Sequence, residues 1–94
     1  MNCETLKIMI DSGAQLIDVR TPREYGAVRV AGAVNIPLEA LTNIMTMFEK
    51  DTKLLLYCRS GARSGAAANF LLERGYDVTN IGGIFPFVGC LENQ

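Results

Sequence analysis

The sequence predicts an α/β fold, a parallel sheet flanked by helices on both faces, in one small domain spanning residues 1–94. Three observations carry that expectation. Strand-like runs alternate with segments of helical periodicity along the whole chain. Lys53 to Tyr57 holds Leu54, Leu55 and Leu56 in a row, and an unbroken apolar strand suits the centre of a parallel sheet, buried on both faces. With 94 residues, 49% apolar, 20% charged and a net charge of -1, the chain has the composition of one ordinary globular core.

Residues 4–11 read as a short helix, with Leu6, Met9 and Ile10 on one side and Gly13 as its stop. Gln15 to Val19 reads as a strand. Thr21-Pro22-Arg23-Glu24 has the capping-box pattern, with Pro22 at the first position of a brief helix. Ala33 to Ile36 reads as a second strand. Pro37 opens a helix to about Phe48, in which Leu38, Leu41, Met45 and Phe48 recur at spacings of three and four. After the leucine strand and the segment Cys58 to Ser64 comes a helix from about Arg63 to Arg74, lined by Ala67, Phe70 and Leu71 and ended by Gly75. Asp77 to Asn80 is a last short strand, and Gly82-Gly83 turns into an apolar tail, Ile84 to Leu91.

Composition narrows the chemistry. There is no basic surplus or Lys/Arg run to suggest a nucleic-acid partner. Met1 to Lys7 lacks a basic leader followed by an apolar core, and no apolar run approaches the roughly 20 residues of a membrane span. The chain as given reads as cytoplasmic, without a membrane partner. Histidine is absent, which removes Cys-His and Ser-His-Asp catalysis and most zinc and haem sites. The three cysteines, Cys3, Cys58 and Cys90, are a poor disulfide framework in number and spacing, and they lack the spacing of a zinc site. Cys3 reads as incidental and Cys90 as a packing residue.

Cys58 is different because of its surroundings. In an open α/β sheet, ligands sit beyond the carboxyl ends of the strands. Cys58 stands where the most buried strand ends, in Tyr57-Cys58-Arg59-Ser60-Gly61-Ala62-Arg63-Ser64-Gly65. Small residues and Gly61 let such a loop turn its N–H groups inward as an anion nest, and the following helix adds its N-terminal partial charge. Arg59 and Arg63 add full charges. Each of these favours a thiolate, and cysteines so placed have pKa values of about 3.5 to 7.5 rather than about 8.5. A thiolate there is a nucleophile without a general base. The competing reading is a small buried hydrophobe at a strand end, the ordinary fate of a free cysteine.

Several separated motifs resemble the rhodanese family of single-domain sulfurtransferases, from about Leu16 to Phe87. They are Leu16-Ile17-Asp18-Val19-Arg20 with Pro22 and Glu24-Tyr25, then Gly32-Ala33-Val34-Asn35-Ile36-Pro37-Leu38, then the Cys58 loop, then Gly82-Gly83-Ile84. The resemblance implies a rhodanese-like fold and a thiosulfate sulfurtransferase. A small anionic sulfur donor such as thiosulfate loads Cys58 as a persulfide, and cyanide, a thiol or a protein acceptor unloads it. No metal or organic cofactor is implied. Cys58 is the catalytic residue, and Arg59, Ser60, Gly61, Ala62 and Arg63 form the anion-binding loop. Asp18 and Arg20 support it from a neighbouring strand end, Asp18 anchoring the loop or an arginine rather than reacting. The chain departs from the family at Arg29, where many relatives carry histidine, and at Phe87, where tryptophan is common.

Other readings keep the same loop. A phosphatase-like enzyme also places a cysteine and an arginine around an anion, but Arg63 follows Cys58 with four residues between, one fewer than in those loops. A non-enzymatic binding module and a sulfur carrier in a protein relay are the remaining alternatives.

Overall fold

The computed structural model describes residues 1–93. Helix α1, Cys3–Asp11, is capped by Asn2, whose side chain accepts from the Thr5 N–H. Strand β1, Gln15–Asp18, follows, then α2, Pro22–Ala27, with the expected capping box between Thr21 and Glu24. Strand β2, Val28–Val30, and strand β3, Val34–Asn35, are short. A 3-10 helix over Leu38–Asn43 leads into α3, Ile44–Met47. Strand β4 is Leu54–Cys58, α4 is Ala62–Leu72 and β5 is Val78–Gly83. A second 3-10 helix, Phe85–Cys90, precedes β6, Leu91–Asn93.

The main sheet has the order β3-β1-β4-β5, and all its pairings are parallel. The leucine strand, β4, is therefore central, and all five of its residues are buried. Strand alternation divides the core. Leu54, Leu56 and Cys58 face a cluster with Ile17, Val19, Ile44, Ala67 and Leu71, covered by the first 3-10 helix, α3 and α4. Leu55 and Tyr57 face a cluster with Leu6, Leu16, Val30 and Phe87, covered by α1 and the second 3-10 helix. Helices on both faces are what the sequence predicts. Phe87, at a position where tryptophan is common in the family, is fully buried as a packing residue.

Three expectations need correction. The segment opened by Pro37 is not one α-helix but a kinked 3-10 helix followed by one α-helical turn. The apolar spacing explains why both forms serve. Leu38 to Leu41 is a step of three, matching the 3-10 repeat, and Leu41 to Met45 is a step of four, matching the α repeat. Gly82-Gly83 is not a turn but the end of β5. Strand β5 carries one extra residue there, since Leu56 pairs with Asn80 but Tyr57 pairs with Gly82. That is a bulge at Ile81, and bulges re-aim a strand end.

The third correction concerns the cysteines. Cys3 and Cys90 form a disulfide between α1 and the second 3-10 helix, across a sequence separation of 87. Cys3 is therefore not incidental, and Cys90 packs against the Leu6 and Phe87 cluster as expected while also bonding Cys3. The same end of the molecule is closed by the antiparallel pair β2-β6, which has no counterpart among the strands predicted from sequence.

Candidate active site

The loop after β4 wraps around one sulfur atom. Cys58 is 0% exposed, and its Sγ accepts from the Gly61 N–H at 3.0 Å, the Ser64 N–H at 3.4 Å and lies 3.4 Å from the Ser64 hydroxyl. The Ser64 N–H belongs to the first turn of α4, one of the N–H groups a helix leaves without an internal partner. Gly61 makes the curl possible. It sits at φ +98°, in the left-handed region, and caps α4.

The double glycine of β5 lies directly against this loop. A Cβ on Gly83 would stand 2.7 Å from the Arg59 carbonyl oxygen, and one on Gly61 would stand 3.2 Å from the Gly82 Cα. The bulge and the two glycines therefore let backbone pack on backbone beside Cys58. Asn80, on the same strand, ties the parts together. Its Nδ2 donates to the Gly61 carbonyl at 3.1 Å, and its Oδ1 accepts from the Gly82 N–H at 3.0 Å and from the Ser64 hydroxyl at 2.7 Å.

Burial pushes the Cys58 thiol up, but the Ser64 hydroxyl and the N–H groups of Ser64, Gly61 and Ser60 outweigh it and hold the thiol below its ordinary value. The thiolate is thus favoured chiefly by main-chain donors and a hydroxyl, and its charge in turn favours the Arg63 guanidinium.

The two arginines of the loop have different positions. Arg63 donates from Nη1 and Nη2 to both oxygens of Glu24, at 2.8 and 3.0 Å. Any anion that Arg63 helps to hold would share its guanidinium with Glu24. Arg59 is exposed, and its side chain has no hydrogen-bond or ion-pair partner among the described residues. Ser60 and Ala62 lie on the rim, with the Ala62 N–H donating to the Ser60 hydroxyl at 3.4 Å.

Asp18 and Arg20 are buried on the other side of the sheet. Asp18 accepts from Arg20 Nη2 at 2.7 Å and from the Tyr57 hydroxyl at 2.8 Å. Arg20 Nη2 also donates to the Val28 carbonyl, and Tyr57 accepts from the Val30 N–H. The pair anchors β2 and does not touch Cys58. Of its two expected roles, Asp18 therefore anchors an arginine rather than the loop.

Sequence reasoning left Ser64, Asn80 and Glu24 without a role. Ser64 stands in the quoted loop and could have been found by its place in the first turn of α4. Glu24 was legible only as the capping-box partner of Thr21, and Asn80 only as part of a strand, since the site partners of these two lie 39 and 16 residues away.

The family model described as the rhodanese-like domain matches residues 2–89. A protein of Allochromatium vinosum named a sulfurtransferase is 38% identical over 74 residues, covering 77% of this chain and 69% of that protein. The thiosulfate sulfurtransferase PspE of Escherichia coli is 44% identical over 71 residues, covering 72% and 68%. The YqhL protein of Bacillus subtilis is 41% identical over 73 residues, but the chain spans only 58% of its length. Among solved structures, a rhodanese with anions from E. coli superposes with a TM-score of 0.78 at 34% identity, over 86% of this chain and 99% of that one. The match over nearly all the chain, on a fold of the same architecture, shows that the chain belongs to the rhodanese-like domain family.

Proposed function

We propose that this protein is a sulfurtransferase that carries sulfane sulfur on Cys58 as a persulfide, with thiosulfate or a related anion as donor and a thiol or protein thiol as acceptor. The observation that carries the reading is the convergence of the Gly61 N–H, the Ser64 N–H and the Ser64 hydroxyl on one buried sulfur. Such preorganised main-chain donors stabilise negative charge as it appears.

The steps balance without a cofactor. The Cys58 thiolate attacks the outer sulfur of thiosulfate. A sulfur–sulfur bond forms to Cys58, the donor's own sulfur–sulfur bond breaks, and its electron pair leaves with sulfite. The persulfide keeps one negative charge, on its terminal sulfur, inside the loop. Cyanide or a thiolate then attacks that sulfur, and Cys58 leaves as thiolate. This is two-step covalent catalysis. Because Cys58 is 0% exposed, the small-residue loop must part for each step. Arg59 is the guanidinium free to hold the sulfonate end of the donor.

The rival with phosphatase chemistry is disfavoured by the pairing of Arg63 with Glu24, which takes away the arginine that a tetrahedral oxyanion would need. The test is the intact mass of the protein before and after thiosulfate, then after cyanide. The expected result is a gain of one sulfur atom, its loss on cyanide treatment, and neither change in Cys58→Ser. Transfer by the Cys58→Ser variant would overturn the mechanism. A wild-type protein that gains no sulfur from thiosulfate but accepts it from a persulfide-bearing protein would replace thiosulfate with a relay donor.

A further inference from the structure

The Ser64 hydroxyl has one proton and two acceptors. It lies 2.7 Å from Asn80 Oδ1 and 3.4 Å from Cys58 Sγ. The orientation of the Asn80 amide is set by its other partners. The Gly61 carbonyl requires a donor and so faces Nδ2, and the Gly82 N–H requires an acceptor and so faces Oδ1. Oδ1 and Sγ therefore compete for the same hydroxyl proton. With Cys58 as a thiol, S–H donates to the Ser64 oxygen and Ser64 donates to Asn80, so every group is satisfied. With Cys58 as a thiolate, the hydroxyl must turn away from Asn80 to serve the sulfur.

We propose that Asn80 is a positioning residue that holds the Ser64 hydroxyl back from uncharged Cys58 and releases it when Sγ becomes negative. The proposal rests on the reading of Cys58 as the nucleophile. It gives the hydroxyl a role in each half of the cycle. Ser64 turns to Sγ as the thiolate forms, and returns to Asn80 when Sγ is neutral within the persulfide. Asn80 keeps one hydrogen bond to Gly82 throughout, so releasing the hydroxyl leaves no polar group of its side chain unpaired. Ser64 and Cys58 are both 0% exposed, so water does not replace the hydroxyl at the sulfur, while Asn80 stands at the exposed side of the pair.

The charges around Cys58 do not blur the effect. Arg59 and Arg63 come from its own loop and helix, and Glu24 of α2 neutralises Arg63. Glu39 of the first 3-10 helix is exposed. Asp18 and Arg20 pair with each other on the other face of the sheet. Strand β5 contributes only the neutral Asn80.

The prediction is one of sign. Ser64→Ala removes a donor to the thiolate and raises the Cys58 pKa. Asn80→Ala removes the competing acceptor and lowers it. A purely structural Asn80 would do the reverse, because loosening Gly61 would take a donor from the sulfur and raise the pKa. Cys58 is the only free cysteine among those present, so iodoacetamide alkylation followed by intact mass reads it alone. The midpoint of alkylation rate against pH should rise by about one unit in Ser64→Ala, the worth of one hydrogen bond. It should fall in Asn80→Ala by about half a unit, and the double variant should match Ser64→Ala. Asn80→Asp, a stronger acceptor, should raise the midpoint, and by more when Ser64 is present than in the Ser64→Ala background. A rise or no change in Asn80→Ala, or an Asn80→Ala shift of the same size in the Ser64→Ala background, would overturn the proposal. Alkylation needs no sulfur donor, so failure of sulfur transfer and failure of this hydroxyl switch are told apart.

Discussion

Tyr57 and Cys58 are neighbours on the central strand, both fully buried, yet their acidities move in opposite directions. Burial raises both. Alternation along β4 then sends them to opposite faces. Tyr57 meets the Val30 N–H but also the Asp18 carboxylate, and stays firmly protonated. Cys58 meets only donors, and its anion is favoured. The difference lies in what each side offers. On the Tyr57 side, fixed charges on Asp18 and Arg20 close a network in which nothing can change charge cheaply. On the Cys58 side, N–H groups and a hydroxyl welcome an anion without an ion pair to lock it. The first arrangement suits a structural joint, the second a reaction centre.

Breaking the two sides separately should expose that division. The largest effect is on the Cys58 side, where Cys58→Ser should abolish sulfur loading while leaving the urea unfolding midpoint close to that of the parent. On the Tyr57 side, Asp18→Ala leaves the Arg20 guanidinium buried and unpaired. It should cost about 3–5 kcal/mol of stability in urea unfolding. The alkylation midpoint of Cys58 in the still-folded variant should stay put, because Asp18 does not touch the sulfur. A midpoint that moved by a full unit would mean the two faces are coupled.

The disulfide should follow. Reducing Cys3–Cys90 opens a link spanning 87 residues of sequence and should cost about 2–4 kcal/mol. The thermal midpoint should fall while cyanide-dependent turnover at low temperature persists. While bonded to Cys3, Cys90 has no thiol with which to resolve a Cys58 persulfide. A cytoplasmic protein would keep Cys3 and Cys90 as thiols, whereas their bond is the form that an oxidising compartment would maintain. Thiol titration of the protein from its native source should find one free thiol if the bond is physiological and three if it is not.

These contrasts also mark what a sequence can reveal. The central strand and its loop were legible because their signals are local. Three leucines in a row mean burial, and small residues around Cys58 at a strand-helix junction mean an anion nest. Beyond the order of the elements, what decides the site is long-range. Arg59 and Arg63 read alike as charges of the loop, but the chain returns Glu24 to Arg63 from 39 residues away. The Gly82-Gly83 pair looked like a turn, since glycine reads as punctuation. Its use is close approach to the loop, visible only once β5 lies beside β4. The β2 strand was too short for alternation to show, and its partner lies at the far end of the chain.

The two arginines sharpen the comparison on a smaller scale. Arg59→Ala should raise the thiosulfate KM by about tenfold or less with little change in kcat, the mark of lost ground-state binding by an exposed cation. Arg63→Ala should leave KM nearer the parent value and act on stability, through the abandoned Glu24. Equal KM changes in both variants would return Arg63 to the anion site.

The smallest effect is the acid response of the Glu24–Arg63 pair. The Arg63 guanidinium, with help from Thr21 and against a smaller opposing effect of burial, lowers the Glu24 carboxyl from 4.5 to about 2. A depressed carboxylate contributes its stability above its unfolded value and loses it as pH falls through the folded one, here between 4.5 and about 2. Glu24→Gln is the suitable reference, because glutamine can still accept from the Thr21 N–H in the capping box. The stability gap between parent and variant should be widest near neutrality and close progressively across that acid window. With side chains 34% and 29% exposed, solvent screens the pair, and the whole gap should be no more than about 1 kcal/mol. A gap that does not narrow in acid would show that the two residues are held by packing rather than by charge.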